Sequence, residues 1–148
     1  METLPDGSRY EGNFSKGKKQ GKGTFYWQDG SVYEGQWLND NMHGFGVYKW
    51  VDGNVYEGHW KDNNMSGTGK FNWADGRSYV GEYQNDKMEG YGTYTWADGK
   101  QYEGQWLRGK HHGEGIYRKK GVPDRRGVWE NGKRIKWLQM DGQAEDAD

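Results

Sequence analysis

The chain has 148 residues, a formal net charge of −1 and no cysteine. So small a charge gives no long-range attraction for nucleic-acid phosphates or an anionic membrane, and the missing cysteine excludes disulfides and thiolate metal sites. Only 31% of the residues are hydrophobic, and nine Trp, eleven Tyr and four Phe supply much of that fraction. We therefore expect a cytoplasmic protein with an aromatic core and no nucleic-acid partner.

A phrase of the form Tyr-Glu-Gly-x-Trp recurs along the chain every 23 residues. Its copies begin at Tyr10, Tyr33, Tyr56, Tyr79 and Tyr102, and a degenerate copy begins at Arg125. A fixed period of this size is typical of repeat proteins, which build extended surfaces rather than one compact core.

A second phrase, Gly-x-Gly followed by alternating aromatic residues, recurs with the same period. Its copies begin at Gly21, Gly44, Gly67, Gly90 and Gly113. Both phrases have a side-chain period of two, which predicts strands, so each repeat is predicted to be one β-hairpin. The predicted fold is all-β: an elongated single-layer antiparallel sheet of about a dozen strands, curved into a trough by strand twist.

Each predicted hairpin turns on a two-residue pair such as Asn39-Asp40, because Asn, Asp and Gly tolerate the positive φ of a type I′ turn. The resulting register pairs Trp37 with Met42, Gly35 with Gly44, and Tyr33 with Gly46. In this register an aromatic ring covers exposed glycine backbone.

The connections between repeats carry Asp-Gly and must have odd length if the aromatic residues are to share one face. They are Gln28-Asp29-Gly30, Val51-Asp52-Gly53, Ala74-Asp75-Gly76 and Ala97-Asp98-Gly99. A three-residue loop with its glycine in the left-handed conformation meets this requirement. Tyr, Trp, Phe and Met are then predicted on one face, and Glu, Lys, Gln and Thr on the other.

The predicted organisation has three parts. Residues 1–132 form an array of about six repeats with the first and last incomplete, residues 133–142 form a C-terminal cap, and residues 143–148 form a disordered acidic tail. Ile135, Trp137 and Leu138 supply the apolar side chains of the cap. Because Asp6-Gly7 already occupies a loop position, the sequence begins within a repeat, as a segment of a longer array would.

These residues resemble the MORN (membrane occupation and recognition nexus) repeat, in which a Tyr-Glu-Gly-x-Trp phrase and a turn precede His-Gly-x-Gly. His43-Gly44-Phe45-Gly46 and His112-Gly113-Glu114-Gly115 match that element, and the resemblance covers roughly residues 6–132. It implies an elongated hairpin array that serves as a scaffold or adaptor. Family members occur in radial-spoke heads, junctophilins, motor-associated adaptors and protist cytoskeletal proteins, which implies a cytoskeletal, ciliary or membrane-associated assembly.

The sequence predicts no catalytic residue and no cofactor. Glu11, Glu34, Glu57 and Glu103 form a carboxylate series, but same-phase neighbours on a regular sheet are ~10 Å apart. Retaining glycosidases need ~5–5.5 Å between carboxyl groups and inverting ones at most ~9.5 Å. We therefore expect these glutamates to lie on the polar face and to pair with Lys or Arg.

The histidines predict no metal site. His43 and His112 share a phase but are three repeats apart, which corresponds to ~30 Å on the sheet. His111 and His112 are neighbours in a strand and should point to opposite faces. Solvated or backbone-bonded side chains are the expected state of these histidines.

The aromatic face is the predicted partner-binding surface, because a single-layer sheet leaves it uncovered and contiguous apolar area commonly marks an interface. A helix or extended segment of another protein is the predicted ligand. The predicted contact residues are Trp27, Tyr33, Trp37, Tyr48, Trp50, Tyr56, Trp60, Phe71, Trp73, Tyr79, Tyr94, Trp96, Tyr102 and Trp106, with Met42, Met65 and Met88 at the rim.

Two alternatives remain open for this surface. Basic clusters at Lys16–Lys22 and Arg118–Lys136, together with the family's name, suggest weak binding of anionic phospholipids. The aromatic face or the ends of the array could also form a homodimer, which would suit a membrane-tethering module.

Overall fold

The computed structural model describes residues 2–138 and the backbone of residues 144–145. In this part of the chain all the regular structure is β, and the strands form one antiparallel sheet in sequence order. The strands are β1 (Glu2–Thr3), β2 (Arg9–Ser15), β3 (Lys18–Tyr26), β4 (Val32–Leu38), β5 (Asn41–Lys49), β6 (Val55–Lys61), β7 (Asn64–Asn72), β8 (Ser78–Gln84), β9 (Lys87–Thr95), β10 (Gln101–Leu107), β11 (Lys110–Arg118), β12 (Arg125–Glu130), β13 (Lys133–Leu138) and β14 (Ala144–Glu145). The predicted single-layer, trough-like array of hairpins is confirmed.

The two-residue turns within the repeats are also confirmed. Asn39 and Asp40 have φ values of 50° and 70°, as a type I′ turn requires. From Asn39-Asp40 onward, each turn also bonds to the preceding repeat: the Asp40 amide donates to the Lys19 carbonyl at 3.1 Å. Successive hairpins are therefore joined at their tips as well as along their strands.

The register beyond the turn differs from the prediction. Trp37 pairs with Met42 as expected, but Gly35 pairs with Gly46 rather than Gly44, and Tyr33 pairs with Tyr48 rather than Gly46. A bulge places residues 43–45 opposite the single residue 36, with Gly44 at a φ of 88°. Because the shift is two residues, the predicted contact residues still share one face.

The bulge has a physical reason in the packing of the repeat tyrosine. It brings two glycines opposite each other, so the ring of Tyr33 can lie directly over the Gly35–Gly46 pair. The Tyr33 hydroxyl then donates to the carbonyl of Gln36, at the bulge, at 2.9 Å. The prediction that this ring covers glycine backbone was right, although the strand positions were wrong.

The predicted three-residue loops between repeats are confirmed. The Trp50 amide donates to the Asn54 carbonyl at 2.9 Å, and the Gly53 amide donates to the Trp50 carbonyl at 3.1 Å. Gly53 has a φ of 98°, in the left-handed region. The odd loop length keeps the aromatic rows of successive repeats on one face.

The core is a layer of rings on that face. Its buried members are Tyr10, Phe25, Tyr33, Trp37, Met42, Tyr56, Trp60, Met65, Phe71, Tyr79, Tyr83, Tyr94, Tyr102, Trp106, Trp129 and Trp137. No second layer covers them in the described residues, so the rings bury one another. The aromatic face is therefore mostly a packed interior.

The segment predicted to be a cap continues the sheet through residue 138. Trp137 of β13 is buried and its ring lies 5.9 Å from that of Trp129, whereas Ile135 is exposed. Residues 139–142 and most of the predicted acidic tail lie outside the described residues, and the backbone of Ala144–Glu145 pairs with β13.

In the described ranges there is no helix long and apolar enough to cross a membrane.

Candidate functional site

The tyrosine that opens each repeat phrase is part of the core. Tyr33 and Tyr56 are completely buried, and each hydroxyl donates to a backbone carbonyl three residues later. A Cβ atom at Gly46 would overlap the Tyr33 ring, so only glycine fits beneath it. Burial raises the pKa of Tyr56 to about 12, so the phenol remains neutral and serves as a donor.

Trp60, which closes the phrase in its repeat, lies edge-on between two tyrosines. The Trp60 ring is 5.1 Å from the ring of Tyr56 in its own repeat and 5.5 Å from that of Tyr33 in the preceding repeat, with interplanar angles of 87°. Its Nε1–H donates to the Gly46 carbonyl at 3.2 Å. The side chain is only 5% exposed, so it joins adjacent repeats and offers little surface to a ligand.

A second set of rings, along the Asp-Gly loops, remains partly exposed. It consists of Trp27, Trp50, Trp73 and Trp96, and we call these four residues the tryptophan ridge. Intervening rings connect it: Tyr48 lies 5.0 Å from Trp27 and 4.3 Å from Trp50. The ridge runs across four repeats and is the continuous apolar surface that this face presents to solvent.

The structure thus divides the predicted contact residues into two groups. The buried group contains Tyr33, Trp37, Met42, Tyr56, Trp60, Met65, Phe71, Tyr79, Tyr94, Tyr102 and Trp106. The partly exposed group contains the tryptophan ridge, Tyr48 and Met88. The second group is the part of the face that a partner can contact without rearranging the core.

Carboxylates line the loop side of the ridge. In each Asp-Gly loop the aspartate accepts the amide of the residue two positions later, as Asp29 does from Ser31 at 2.8 Å. Asp75 and Asp98 also form ion pairs, with Arg77 and Lys100 respectively. The Lys100 amide and ammonium both favour the charged carboxylate, so the pKa of Asp98 is lowered. The loops therefore place one acidic group beside each ridge tryptophan.

His111 occupies the position that Met42, Met65 and Met88 hold in earlier repeats. Its ring lies 4.0 Å from Tyr102 and 4.4 Å from Trp106, and its Nε2 is buried without a hydrogen-bond partner in the described residues. Burial lowers the pKa of His111 to about 4. The expectation of a solvated or backbone-bonded side chain is wrong for His111, because its ring packs against Tyr102 and Trp106 and its Nε2 is buried between them.

Replacing His111 with methionine is expected to remove an acid-dependent loss of stability. The unfolded chain takes up a proton near pH 6.5, whereas the folded protein resists it until about pH 4. The wild-type free energy of unfolding should therefore fall through that window. Linkage, discounted for partial exposure, puts the loss relative to His111→Met at about 1–2 kcal/mol. Urea unfolding of both proteins from pH 7.5 to 4 measures it, and a pH-independent difference would contradict this assignment.

The opposite face is more apolar than the sequence pattern predicted. Phe45 and Tyr91 are 48% and 51% exposed there, and Phe45 lies beside Glu34 and Gln36 in a groove of about 630 Å³. The sequence contains a sign of these exposed rings: the middle residue of the Gly-x-Gly phrase is aromatic in only these two repeats. Phe45 and Tyr91 therefore form exposed apolar surface on the face opposite the ridge.

The glutamate series lies on this opposite face. Glu103 accepts hydrogen bonds from the Tyr91 hydroxyl and the Arg118 guanidinium, and the Tyr91 bond is the main cause of its lowered pKa. Glu57 lies opposite Lys70 in the sheet. Among residues 2–138, no three His, Asp or Glu side chains converge as ligands of one metal ion. The arrangement is that of cross-strand polar pairing.

Comparison with known proteins agrees with the repeat boundaries. The family model of the MORN repeat matches residues 10–32, 33–55, 56–76, 79–101 and 102–121, which is more than half of the sequence. A comparison with curated protein sequences found no match. MORN repeats are a non-catalytic family and suggest a protein-binding or membrane-associated repeat protein.

Proposed function

This chain belongs to the MORN repeat family, and on that premise we propose that it is a non-enzymatic scaffold or adaptor that binds a segment of another protein along the tryptophan ridge. The observation that supports the proposal is the ridge itself, a partly exposed row of large rings on one continuous sheet. Exposed Trp and Tyr side chains are the residue types that most often dominate binding energy at protein interfaces.

The shape of the surface favours a helix or an extended segment as the ligand. Equivalent rings recur once per hairpin, and two strands advance the sheet by about 10 Å. A ligand that spans the ridge therefore meets rings at regular intervals, flanked by the loop aspartates. We also propose a cytoplasmic setting in a cytoskeletal, ciliary or membrane-associated assembly, which rests on family membership and is tested by imaging the tagged protein in its source cell.

Combined replacement of Trp50, Trp73 and Trp96 with alanine is expected to weaken partner binding at least 100-fold. Hot-spot aromatic residues contribute about 2 kcal/mol or more each when truncated, so three losses exceed this threshold. The partner is first identified by affinity capture and mass spectrometry. Binding of its purified segment to wild-type and triple-variant protein is then measured by isothermal titration calorimetry.

The matched control is the double replacement of Phe45 and Tyr91 with alanine, which removes two exposed rings from the opposite face. This control should bind as tightly as the wild type. Undiminished binding by a folded triple variant would overturn the proposal. Light scattering on the same samples tests the homodimer alternative, and co-sedimentation with anionic phospholipid vesicles at physiological salt tests the lipid alternative.

A further inference from the structure

Within residues 2–138, one arginine, Arg77, lies over a ring of the tryptophan ridge. The guanidinium carbon of Arg77 lies 4.9 Å from the centre of the Trp73 ring, within cation–π range. Its Nε donates to Asp75 Oδ2 at 2.8 Å, and its Nη1 donates to the Tyr94 hydroxyl at 3.0 Å. A tryptophan face, a carboxylate and a phenol together hold this side chain.

The same three groups recur two repeats earlier, where no described Lys or Arg lies over the tryptophan ring. Trp27, Asp29 and Tyr48 occupy the positions of Trp73, Asp75 and Tyr94. The rings of Trp27 and Tyr48 are 5.0 Å apart, compared with 5.5 Å between Trp73 and Tyr94. Burial raises the pKa of Tyr48, and the negative charge of Asp29 adds to this effect, so the carboxylate acts on the phenol as a neighbouring charge.

Ser31 takes the place of Arg77 in this earlier copy. Its hydroxyl accepts the Val51 amide at 3.2 Å and lies close to the sheet, so it cannot fill the space above Trp27. Within the described part of the chain, no Lys, Arg or His forms an ion pair with Asp29. The Asp29 carboxylate uses Oδ1 for its own loop, which leaves Oδ2 for a ligand.

The remaining repeats lack this combination. The intermediate repeat has Trp50 and Asp52, but Phe71 replaces the tyrosine and provides no hydroxyl. In the following repeat the ammonium group of Lys100 lies 3.3 Å from Asp98 and neutralises it. The vacant set of tryptophan, carboxylate and phenol is therefore found at the N-terminal end of the ridge.

We propose that Trp27, Asp29 and Tyr48 bind an arginine side chain of the partner segment. The geometry at Arg77 shows how one planar guanidinium can stack on an indole while it donates to a carboxylate and a phenol. A lysine ammonium cannot stack in this way and presents its charge at one point. The inference rests on the proposed function, since it names the chemistry of the ligand and places its basic end beside Trp27.

The test uses the full chain labelled with ¹⁵N and N-acetyl-arginine amide as the probe, at low salt. The indole N–H signal of Trp27, identified by Trp27→Phe, is expected to shift and to saturate at millimolar probe. N-acetyl-citrulline amide has the same shape without the charge and should bind at least tenfold more weakly. No saturable response at Trp27, or an equal response to both probes, would overturn the proposal.

Two exchanges between the repeats make the test specific. Ser31→Arg supplies an internal guanidinium and should abolish the response at Trp27. Arg77→Ser vacates the second site, so Trp73 should begin to respond. If Trp73 does not respond, then a tryptophan, a carboxylate and a phenol in this arrangement do not bind a guanidinium, and the proposal is wrong.

Asp29→Asn covers the case in which Ser31→Arg does not fold. The amide oxygen can still accept the Ser31 N–H, so the loop is kept while the charge is lost. This variant should weaken the arginine response at least tenfold, and an unchanged response would contradict the proposal. If the probe does not bind while the ridge still captures its partner, the arginine site is wrong and the proposed function stands.

Discussion

Replacing Gly46 with alanine is expected to destabilise the protein by about 3 kcal/mol or more, at the upper end of the range for overpacked cores. The new methyl group would overlap the hydroxyl and ring of Tyr33, which already lies on the glycine backbone. Tyr33 is completely buried between neighbouring rings and cannot move aside. Urea unfolding followed by tryptophan fluorescence and far-UV circular dichroism measures the change.

Gly17→Asn provides the matched control for this prediction. Gly17 lies in a turn with nothing near its Cβ position, and Asn63 occupies the equivalent position in a later repeat. We expect its effect to remain within about 0.5 kcal/mol, as for an ordinary surface substitution. In addition, Tyr33→Ala removes the ring with which the new methyl group of Gly46→Ala would overlap. The losses of unfolding free energy from the two substitutions should therefore not add in the double variant. An unchanged urea midpoint for Gly46→Ala would show that the ring does not lie over the glycine pair.

Replacing Trp60 with alanine is expected to cost about 3–5 kcal/mol, as for a buried aromatic residue truncated in a core. The change removes edge-on contacts to two tyrosines and a hydrogen bond to the Gly46 carbonyl. Because each repeat is stabilised mainly by its neighbours, the loss should weaken the junction between two hairpins as well as one of them. The urea midpoint and the slope of the transition measure both effects.

Two other substitutions should reduce the free energy of unfolding by less than Trp60→Ala does. Trp60→Tyr should cost clearly less, since Tyr83 occupies the same place one repeat later and is buried there. Trp50→Ala should cost about 1 kcal/mol, because a partly exposed ring loses less buried area. Equal costs for Trp60→Ala and Trp50→Ala would contradict the division of the aromatic face into a core and a ridge.

The sequence was sufficient to predict the fold because its signals repeat. The 23-residue period, the two-residue side-chain alternation and the turn residues each recur several times. A repeat whose pattern is degenerate can therefore be assigned from the equivalent positions of the others. The prediction that the loops between repeats have an odd number of residues is also confirmed. A three-residue loop such as Val51–Gly53 is the simplest connection that keeps Trp50 and Tyr56 on one face. This prediction depends only on alternation along strands, which does not change with tertiary packing.

The register of the glycines could not be predicted by counting from the turn. Gly35–Gly46 pairing requires the bulge of residues 43–45 opposite residue 36, and the bulge is stabilised by the Tyr33 hydroxyl and by the left-handed Gly44. A pair of glycines opposite each other has no side-chain signal of its own. The reason for the pairing is the ring above it, which belongs to the three-dimensional packing.

The extent of burial on the aromatic face was likewise beyond the sequence. Absence of a second layer implied exposed rings, yet Trp60 is buried because the tyrosines of two repeats enclose it edge-on. The same reasoning missed Phe45 and Tyr91, which sit on the face expected to be polar. Whether a ring is covered depends on its angle to its neighbours, and spacing along the chain does not contain that angle.

The sequence by itself determined the hairpin repeat, its loops and the face shared by the aromatic residues of the two repeat phrases, because these follow from local backbone preferences and a period of two. Only the tertiary structure decided which aromatic residues remain accessible and which acidic loops lack a cation. Arg77 and Ser31 illustrate the difference: they are equivalent in sequence phase, but only the folded protein shows that one fills its site and the other leaves Trp27, Asp29 and Tyr48 open. The exposure of a ring and the neutralisation of a carboxylate depend on side chains from neighbouring repeats, and those side chains come together only when the repeats are packed.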